Sequence, residues 1–332
     1  MLRHPRKGAR MSLDLNDAAR AGKLPEDFFA PETSDDIVGM KESLKDALTG
    51  VYARMQRHGE LDGACTGYTA IDKALDGWSR EKVYVIGGRS GIGKSVFGLN
   101  VAMRLASRGH GVDFVTLEMP IGEQALRAMF CQSGVESHRL KFGTMRPTDF
   151  ADMVEANRHM CEWTWAWNPK STLNIEGMRE HIRRVKDHFS AKGKDLHAVV
   201  VDHVLNIKGT NQRQPRREQL LHITQQLKSI AKDEAICMIA LTQLNRALEQ
   251  RGVKDKRPRI SDLKESGSFE EDADAILLLY RADRYEKDRS KWNNEMEVAI
   301  PKNRGGEDGV GVKLRFDGAR YRIDNLEEGN ES

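Results

Sequence analysis

Cysteine is scarce in this sequence, and the few residues present do not form a cysteine-based site. The four cysteines lie far apart, and no pair has the CxxC spacing: Cys65, Cys131, Cys161 and Cys237. Zinc sites and disulfide frameworks are recognised by closely spaced or regularly patterned cysteines, so neither is expected here. Unpaired thiols are typical of a reducing compartment, and we therefore expect a cytoplasmic protein.

Long hydrophobic runs are missing as well. No stretch approaches the ~18 to 20 apolar residues that a membrane-spanning helix needs, and the basic opening contains no apolar segment of the kind found in secretory signals. Residues 1–34 combine charged residues and prolines with few periodic apolar positions, which predicts a flexible basic leader. Residues 326–332 form a short acidic tail. We therefore expect no membrane partner.

A strong excess of one charge is also absent. The sequence has 53 lysines and arginines against 50 acidic residues, a formal net charge of +3. Such a balance identifies no partner by itself, so a nucleic-acid surface would have to come from local clusters of basic residues. With 332 residues, 39% of them hydrophobic, the chain is long enough for one large core and a small appendage.

The first periodic pattern covers residues 35–59. Its apolar residues recur at steps of three and four and form one stripe of a helix: Ile37, Met40, Leu44, Leu48, Val51 and Met55. Gly59 is of the residue type that most often ends a helix. We predict an amphipathic linker helix whose stripe packs either on its own domain or on a neighbouring copy.

Residues 60–325 alternate between apolar runs and helical stretches. Six runs indicate strands, within residues 82–88, 111–119, 196–204, 236–244, 274–281 and 296–304. Continuous apolar strands separated by helices are typical of an α/β domain with a mostly parallel sheet covered on both faces. Trp163, Trp165 and Trp167 alternate along a further extended stretch, and we assign them to packing because period-two aromatic residues usually line a sheet.

The segment from Gly88 to Ser95, GRSGIGKS, fits the pattern GxxxxGK[ST] between a predicted strand and a predicted helix. Glycines allow backbone N–H groups to surround a phosphate chain, because no Cβ blocks the approach. Lys94 would bring a positive charge to the β and γ phosphates and Ser95 a hydroxyl to Mg²⁺, beside the positive end of a helix dipole. The motif predicts a nucleoside triphosphate site formed by Gly88, Arg89, Ser90, Gly91, Ile92, Gly93, Lys94, Ser95 and Val96.

Polar residues end three of the predicted strands. Asp202 follows four consecutive apolar residues, where a buried strand reaches the carboxyl edge of the sheet, and we predict a Walker B carboxylate that holds Mg²⁺ through water. Glu118 ends another strand, where a carboxylate can polarise an attacking water. Gln243 ends a third, where an amide can sense the γ-phosphate. From the sequence alone, each also has a plainer interpretation as an ordinary polar strand end.

Two segments concentrate basic residues. Between residues 243 and 264, seven basic residues stand against three acids: Arg246, Arg251, Lys254, Lys256, Arg257, Arg259 and Lys264. The second segment follows Asp202 and carries Lys208, Arg213, Arg216 and Arg217. No aromatic residue interleaves either segment, so base stacking is not indicated. We expect contacts to DNA phosphates that are indifferent to sequence and weakened by salt.

Taken together, these motifs resemble the RecA-like motor domain of DnaB-type replicative helicases. The matching stretches are TGYTAID, TLEMP, VVVDH, the long block from residue 241 to residue 281, and IPKNRGG. The resemblance covers about residues 62–325 and implies a RecA-like P-loop NTPase core, with residues 60–325 as an ATPase motor domain. It also implies an ATP- and Mg²⁺-dependent hydrolase that forms a ring of six subunits, translocates on single-stranded DNA and unwinds duplex DNA in replication.

The resemblance assigns catalytic roles to individual residues. By motif, Lys94 and Ser95 hold phosphate and Mg²⁺, Glu118 is the catalytic base, Asp202 is the Walker B acid and Gln243 is the phosphate sensor.

A second set of roles concerns the neighbouring subunit and DNA. Lys302 and Arg304 match the family's K-x-R, which reaches into the adjacent subunit's site as a piston lysine and an arginine finger. Both residues also share one face of a predicted strand, where paired cations attract an anion. The candidate DNA-binding residues are Arg213, Arg216, Arg251, Lys254, Lys264, Glu265 and Gly267.

The sequence departs from the family pattern at its start. About sixty residues precede the motor domain, which predicts a short, phage- or plasmid-like form without the N-terminal collar domain; a helicase loader and primase are further candidate partners. His203 stands where the family usually has tyrosine. Two other functions stay open: a RecA-like recombinase that forms filaments, and a non-catalytic P-loop factor for DNA binding or loading.

Overall fold

Nine strands join in one sheet among the residues that the structure describes. In this computed structural model those are residues 40–56, 59–170, 172–209, 214–245, 248, 256–263, 266–286 and 288–326. The strands are β1 (Val83–Gly88), β2 (Gly111–Thr116), β3 (Trp165–Trp167), β4 (Leu196–Asp202), β5 (Cys237–Gln243), β6 (Ala275–Tyr280), β7 (Glu295–Asn303), β8 (Val310–Asp317) and β9 (Arg322–Asn325). Their order across the sheet is β3-β2-β4-β5-β1-β6-β7-β8-β9.

The sheet is parallel from β3 to β6 and antiparallel from β6 to β9. The prediction of an α/β fold with a mostly parallel sheet is therefore confirmed. The antiparallel pair β8 and β9 was not predicted. Along β8, buried residues alternate with exposed or partly exposed ones, as in a strand with one face in water, and a search for continuous apolar runs misses such strands.

Helices flank the sheet and connect its parallel strands. The helix α1 (Met40–Gln56) belongs to an N-terminal unit described below. The helices around the sheet are α2 (Thr69–Leu75), α3 (Lys94–Ser107), α4 (Ile121–Ser133), α5 (Ser137–Lys141), α6 (Pro147–Met160), α7 (Ile175–Ser190), α8 (Arg216–Asp233) and α9 (Ser266–Asp272). Helical stretches predicted between the strands correspond to α3, α4, α7 and α8. Short connections place the functional residues at the strand ends.

The core lies on both faces of the sheet, as the uninterrupted apolar strands require. On β1, Tyr84 and Ile86 join the cluster that includes α3, whereas Val83 and Val85 join the cluster that includes α7 and α8. Successive side chains of a strand point to opposite faces. Because all six residues of β1 are buried, the strand that carries the phosphate-binding motif is held from both sides.

The tryptophans of residues 163–167 lie at the outermost strand on one side of the sheet. Trp165 and Trp167 belong to β3, which pairs with β2, and their rings lie 6.1 Å and 5.4 Å from the ring of Phe114. Trp163 also packs against this core. The assignment of these residues to packing is confirmed.

The chain divides into two units, residues 1–60 and 61–332. In the first unit, a helix at Met40–Gln56 lies within the range predicted for the linker helix, and its role as a linker stays a prediction. Residues 35–39, 57 and 58, the proposed leader and almost all of the proposed tail lie outside the described residues. The large apolar side chains of α1 are exposed: Met40, Leu44, Leu48, Val51 and Met55. No helix within the described ranges is long and apolar enough to cross a membrane.

Candidate nucleotide site

The phosphate-binding motif forms the turn between β1 and α3. β1 ends at Gly88 and α3 begins at Lys94, so the motif occupies the strand-loop-helix position that the sequence predicts. Gly91 and Gly93 have φ values of 76° and 105°, a left-handed conformation that favours glycine. A Cβ atom on Gly93 would lie 2.7 Å from the ring of Phe316. Backbone conformation and close packing therefore both require glycine at position 93.

Four neighbouring parallel strands bring the predicted site residues to one edge of the sheet. In the order β2, β4, β5 and β1, these strands lead into Glu118, Asp202, Gln243 and the phosphate-binding motif. Gly88 is level with Gln243, and Thr116 is level with Asp202. In open parallel sheets, ligands bind at the carboxyl ends of the strands. The structure thus gathers these residues, which are far apart in sequence, around one ligand-binding edge.

Asp202 is fully buried at the end of β4. Its Oδ2 accepts a 3.4 Å hydrogen bond from Nε2 of the buried Gln124, whereas its Oδ1 has no hydrogen-bond partner among the described residues. Burial raises the pKa of the Asp202 carboxyl, while the nearby Lys94 and Ser95 act in the opposite direction. A buried carboxylate with an unpaired oxygen is costly, so this site favours the arrival of a cation.

The oxygen atoms near Asp202 fit a magnesium ion. Mg²⁺ prefers oxygen ligands and usually binds through one or two protein groups, completing its shell with phosphate and water. The Ser95 hydroxyl and Oδ1 of Asp202 are oxygens of this kind. Within the described part of the chain, no group of three or more His, Cys, Asp or Glu side chains could hold a metal ion. A metal that is bound jointly with phosphate matches this donor set.

Glu118 lies just beyond β2, with 51% of its side chain exposed. Its Oε2 is 3.4 Å from Nε2 of His203, the residue that follows Asp202 through a cis peptide bond. His203 itself is buried. The predicted base thus contacts a side chain whose role the sequence left unassigned, and no local pattern could have paired residues 85 positions apart.

Leu244, which follows Gln243, makes two hydrogen bonds to the phosphate-binding motif. Its N–H donates to the carbonyl of Gly88 at 3.3 Å, and its carbonyl accepts a 2.9 Å hydrogen bond from Nη1 of the buried Arg89. Leu244 also pairs with Leu263 as an antiparallel bridge. These contacts join the phosphate-binding motif to Leu244 and Leu263. The basic segment between these two leucines is called the basic loop below (residues 245–262).

Most candidate DNA-binding residues lie outside the described residues: Arg213, Arg251, Lys254, Lys264 and Glu265. Arg216 begins α8 and donates to the carbonyl of Leu205 at 2.6 Å and to Oε1 of Gln219 at 3.1 Å. Gly267 is exposed in the first turn of α9. The structure shows Arg216 holding the turn after β4, and DNA contact by this set stays a prediction.

Lys302 and Arg304 lie at the opposite edge of the sheet from the phosphate-binding motif. Asn303, between them, pairs with Ala275 of β6, which is level with Tyr84 of β1. Gly88 lies four positions after Tyr84, which is roughly 13 Å along a strand at about 3.3 Å per residue. The structure therefore does not bring Lys302 and Arg304 to the nucleotide site of their own chain.

Both cations are bonded to the last turn of α9. The Lys302 Nζ donates to the carbonyl of Glu270. Nη2 of Arg304 donates to the carbonyl of Glu271 at 2.5 Å, and its Nη1 lies 4.0 Å from the Asp274 carboxylate. Burial and the neighbouring Arg304 lower the pKa of the Lys302 ammonium. The closest contacts of both side chains are therefore neutral backbone carbonyls. They lie at the C-terminus of α9, where the negative end of the helix dipole favours cations.

Three residues beside the phosphate-binding motif were not predicted from the sequence. The Arg281 guanidinium lies 3.7 Å from the centre of the Phe316 ring, and that ring packs on Gly93. Nη2 of Arg284 lies 2.9 Å from where a Cβ atom on Gly91 would be. These residues come from the segments after β6 and in β8, so only the strand order brings them to the motif.

Comparison with known proteins agrees with this geometry. Residues 63–325 match the family model for the DnaB-like helicase C terminal domain. The replicative DNA helicase DnaB of Geobacillus stearothermophilus is 31% identical over 295 residues, which cover 87% of this chain and 63% of that protein. The replicative DNA helicase DnaC of Bacillus subtilis (strain 168) is 30% identical over 292 residues, covering 86% and 62%. The chain thus spans less than two thirds of the length of these two relatives.

Two solved structures are also similar to this chain. One solved ATPase domain superimposes with a TM-score of 0.79 at 29% identity, covering 86% of this chain and 99% of that one. A DnaB-like replicative helicase, described with its interactions with primase, has a TM-score of 0.79 at 29% identity, covering 87% and 69%. The resemblance inferred from the motifs is confirmed: the chain belongs to the DnaB-like helicase family and contains that family's C-terminal domain.

Proposed function

We propose that this chain is an ATP-driven replicative DNA helicase motor that works as a ring of copies and moves along single-stranded DNA. One observation carries the proposal. The phosphate-binding motif, Glu118 and Asp202 lie at the carboxyl edge of the parallel strands, whereas Lys302 and Arg304 lie at the amino edge. One copy therefore offers two incomplete halves of a site, and two adjacent copies can join them.

Within one copy, the carboxyl edge supplies most groups that triphosphate cleavage needs. Lys94 brings positive charge to the β and γ phosphates of ATP, and Ser95 and Asp202 would hold Mg²⁺, which supplies charge neutralisation when bound. Glu118 would orient the attacking water and accept its proton. Gln243, level with Gly88, can hydrogen-bond the γ-phosphate and register its loss.

The neighbouring copy would complete the site through Lys302 and Arg304. Both side chains contact backbone carbonyls of α9, and phosphate oxygens can replace these neutral acceptors with stronger, charge-assisted hydrogen bonds. An arginine supplied in this way accelerates phosphoryl transfer by ~10³ to 10⁵. We therefore expect separated subunits to hydrolyse ATP poorly, and a closed ring, six-membered by resemblance, to hydrolyse it well.

The basic loop is the proposed link between ATP and DNA. Its two ends meet where Asn245 N–H donates to the Asp262 carbonyl at 2.7 Å, next to the bridge between Leu244 and Leu263. A shift of the phosphate-binding motif reaches this point through Arg89. We propose that Arg251, Lys254, Lys264, Glu265 and Gly267, with Arg213 and Arg216, grip the phosphates of single-stranded DNA, so that affinity falls with salt and hardly depends on base sequence.

The exposed stripe of α1 supports association between copies. Its five large apolar side chains are 56–76% exposed. The other unit exposes Leu140, Phe142, Phe150 and Val154 on α5 and α6 and the turn between them. Grouped large apolar side chains in water are typical of surfaces that another molecule covers. Of the two packing alternatives, we favour docking of the α1 stripe on a neighbouring copy.

The proposal is tested with three measurements on the full chain. ATP turnover is measured with and without single-stranded DNA, strand separation with a forked duplex, and the mass of the assembly with bound nucleotide by native mass spectrometry. We expect DNA-stimulated turnover, unwinding that requires ATP, and a closed oligomer. The Lys94→Ala variant is the control, because it lacks the charge that faces the β and γ phosphates.

Other outcomes would point to the two competing functions. Open helical filaments in electron micrographs, with no unwinding of forks, would favour a recombinase. Binding of nucleotide without turnover would favour a non-catalytic loading or DNA-binding factor. A helicase loader and primase are proposed partners, the latter because a similar structure shows a DnaB-like helicase with primase interactions; co-sedimentation with each purified protein tests them.

A further inference from the structure

His203 contacts the group that the proposed function uses as its base. Nε2 of His203 lies 3.4 Å from Oε2 of Glu118. The two side chains differ in burial, with 11% of the His203 side chain exposed against 51% for Glu118. A half-exposed glutamate on a strand end can adopt several rotamers, and a buried imidazole beside it restricts that choice.

The backbone around this contact is cross-braced. Leu117 N–H donates to the Asp202 carbonyl at 2.7 Å, and the Asn206 side-chain amide donates to the Leu117 carbonyl at 3.2 Å. Asn206 N–H in turn donates to the His203 carbonyl at 3.0 Å. The ends of β2 and β4 are thereby tied together next to Glu118, so the imidazole is attached to a rigid support.

We propose that His203 is a positioning residue for Glu118, holding one carboxylate oxygen so that the other faces the attacking water. The inference rests on the proposed ATPase function and adds a role that the motif comparison does not assign. A general base works only within hydrogen-bond reach of the proton that it removes, and catalytic hydrogen bonds commonly tighten in the substrate complex. Fixing the rotamer of Glu118 in advance lowers the entropy that must be lost in the transition state.

A positioning role for His203 predicts a different effect from a purely structural role. Loss of the His203 side chain should slow the chemical step and leave ATP binding nearly unchanged, because the nucleotide is held by the phosphate-binding motif and not by Glu118. A side chain that can still donate a hydrogen bond at the same reach should restore the rate. His203→Gln and His203→Leu form a suitable pair, since the two side chains are of comparable size and differ in hydrogen bonding.

The experiment measures kcat and KM for ATP in the full chain with saturating single-stranded DNA. We expect His203→Leu to lower kcat by roughly tenfold to a hundredfold, part of the ~10² to 10⁴ that a positioned general base contributes. KM should change by less than about twofold, because ground-state binding is not involved. His203→Gln should recover most of the lost rate.

A second measurement tests whether His203 acts through Glu118. In the Glu118→Gln background, single-turnover cleavage of labelled ATP should show little further loss on adding His203→Leu, because residues that act as a unit are not additive. His197→Leu is the matched control for removing a buried histidine, since His197 lies on β4, which ends just before His203, and is 7% exposed against 8% for His203. It should lower the thermal midpoint without lowering kcat.

The outcomes distinguish this proposal from the function on which it rests. If the wild-type chain shows no ATP turnover, the proposed function fails. If it turns over ATP and His203→Leu matches it or exceeds it, or if the losses multiply in the Glu118→Gln background, only the positioning role is overturned. Should His203→Leu not fold, His203→Asn replaces it, because its shorter amide does not reach Glu118 and the same loss of kcat is expected.

Discussion

The two edges of the sheet hold their charged residues in different ways. At the carboxyl edge, Asp202 keeps an oxygen without a hydrogen-bond partner among the described residues. At the amino edge, Lys302 and Arg304 both donate to backbone carbonyls of α9. One edge thus presents a buried acid that favours a cation, and the other presents cations on neutral acceptors that a phosphate can displace. The difference is what the proposed division of one site between two copies of the chain requires.

Arg304→Ala should have the largest effect on this division. We expect turnover to fall by about 10³ or more, because an arginine finger contributes ~10³ to 10⁵. Variant subunits mixed with wild type should depress turnover beyond dilution, since each variant weakens the site of its neighbour. ATPase assays over a range of mixing ratios measure this.

Arg184→Ala is the matched control, because Arg184 on α7 has a side-chain exposure of 56% against 53% for Arg304. It should leave turnover near the wild-type value. A strictly proportional decline in the Arg304→Ala mixtures would show that the two edges belong to separate functions.

Glu118→Gln tests the carboxyl edge alone. Turnover should fall by ~10² to 10⁴, the usual contribution of a general base, while binding of a fluorescent ATP analogue is retained. The control is Glu123→Gln, since Glu123 on α4 is 52% exposed against 51% for Glu118. Turnover that survives Glu118→Gln would remove Glu118 from the catalytic role.

The stability of the fold should depend on pH through His197, which lies at the amino edge. Burial lowers the pKa of the His197 imidazole to about 4, and its Nε2 lies 2.9 Å from the Trp78 carbonyl. Below the ordinary pKa of ~6.5, the His197 imidazole binds a proton in the unfolded chain but stays neutral in the folded chain. Stability therefore declines as pH falls. From pH 7 to pH 5 the free energy of unfolding should drop by about 2 kcal/mol.

Urea unfolding of the wild type and His197→Gln at several pH values checks this expectation. The variant should show a flatter profile. His110, whose ring lies 4.8 Å away and whose imidazole pKa is also lowered by burial, contributes with the same sign. An equally steep profile in the variant would assign the pH dependence to other groups.

The smallest effect is expected for the link between the nucleotide and the basic loop. Arg89→Gln removes a hydrogen bond from a charged donor, worth about 1.5–3 kcal/mol, between the phosphate-binding motif and Leu244. The ratio of DNA-stimulated to unstimulated turnover should fall by about tenfold, the equivalent of the lower end of this range. Steady-state ATPase titrations with single-stranded DNA measure the ratio.

Arg80→Gln is the control from the other edge, because Arg80 also donates to backbone carbonyls, those of Leu196 and Ala235 at 2.9 Å and 2.8 Å. It should lower the thermal midpoint and leave the ratio unchanged. If both variants lower the ratio alike, the effect reflects stability and not the link to the loop.

Sequence patterns predicted those parts of the site that depend on one segment at a time. Gly93 and Lys94 form a recognisable motif because a phosphate-binding turn needs glycine conformations and a helix start within a few residues. Asp202 could be placed at a strand end because four consecutive apolar residues precede it. The half-buried strands β8 and β9 were missed, since their alternating pattern resembles a polar loop when continuous apolar runs are sought.

By itself, the sequence determined the parallel α/β class, the phosphate-binding turn and the identity of the polar strand ends, because these follow from side-chain period, glycine and local hydrophobicity. Only the tertiary structure decided that Lys302 and Arg304 face away from their own nucleotide site, that Phe316 packs on Gly93 and that His203 meets Glu118. Such contacts depend on strand order and direction, which arise from pairing between distant segments and leave no trace in any short stretch of residues.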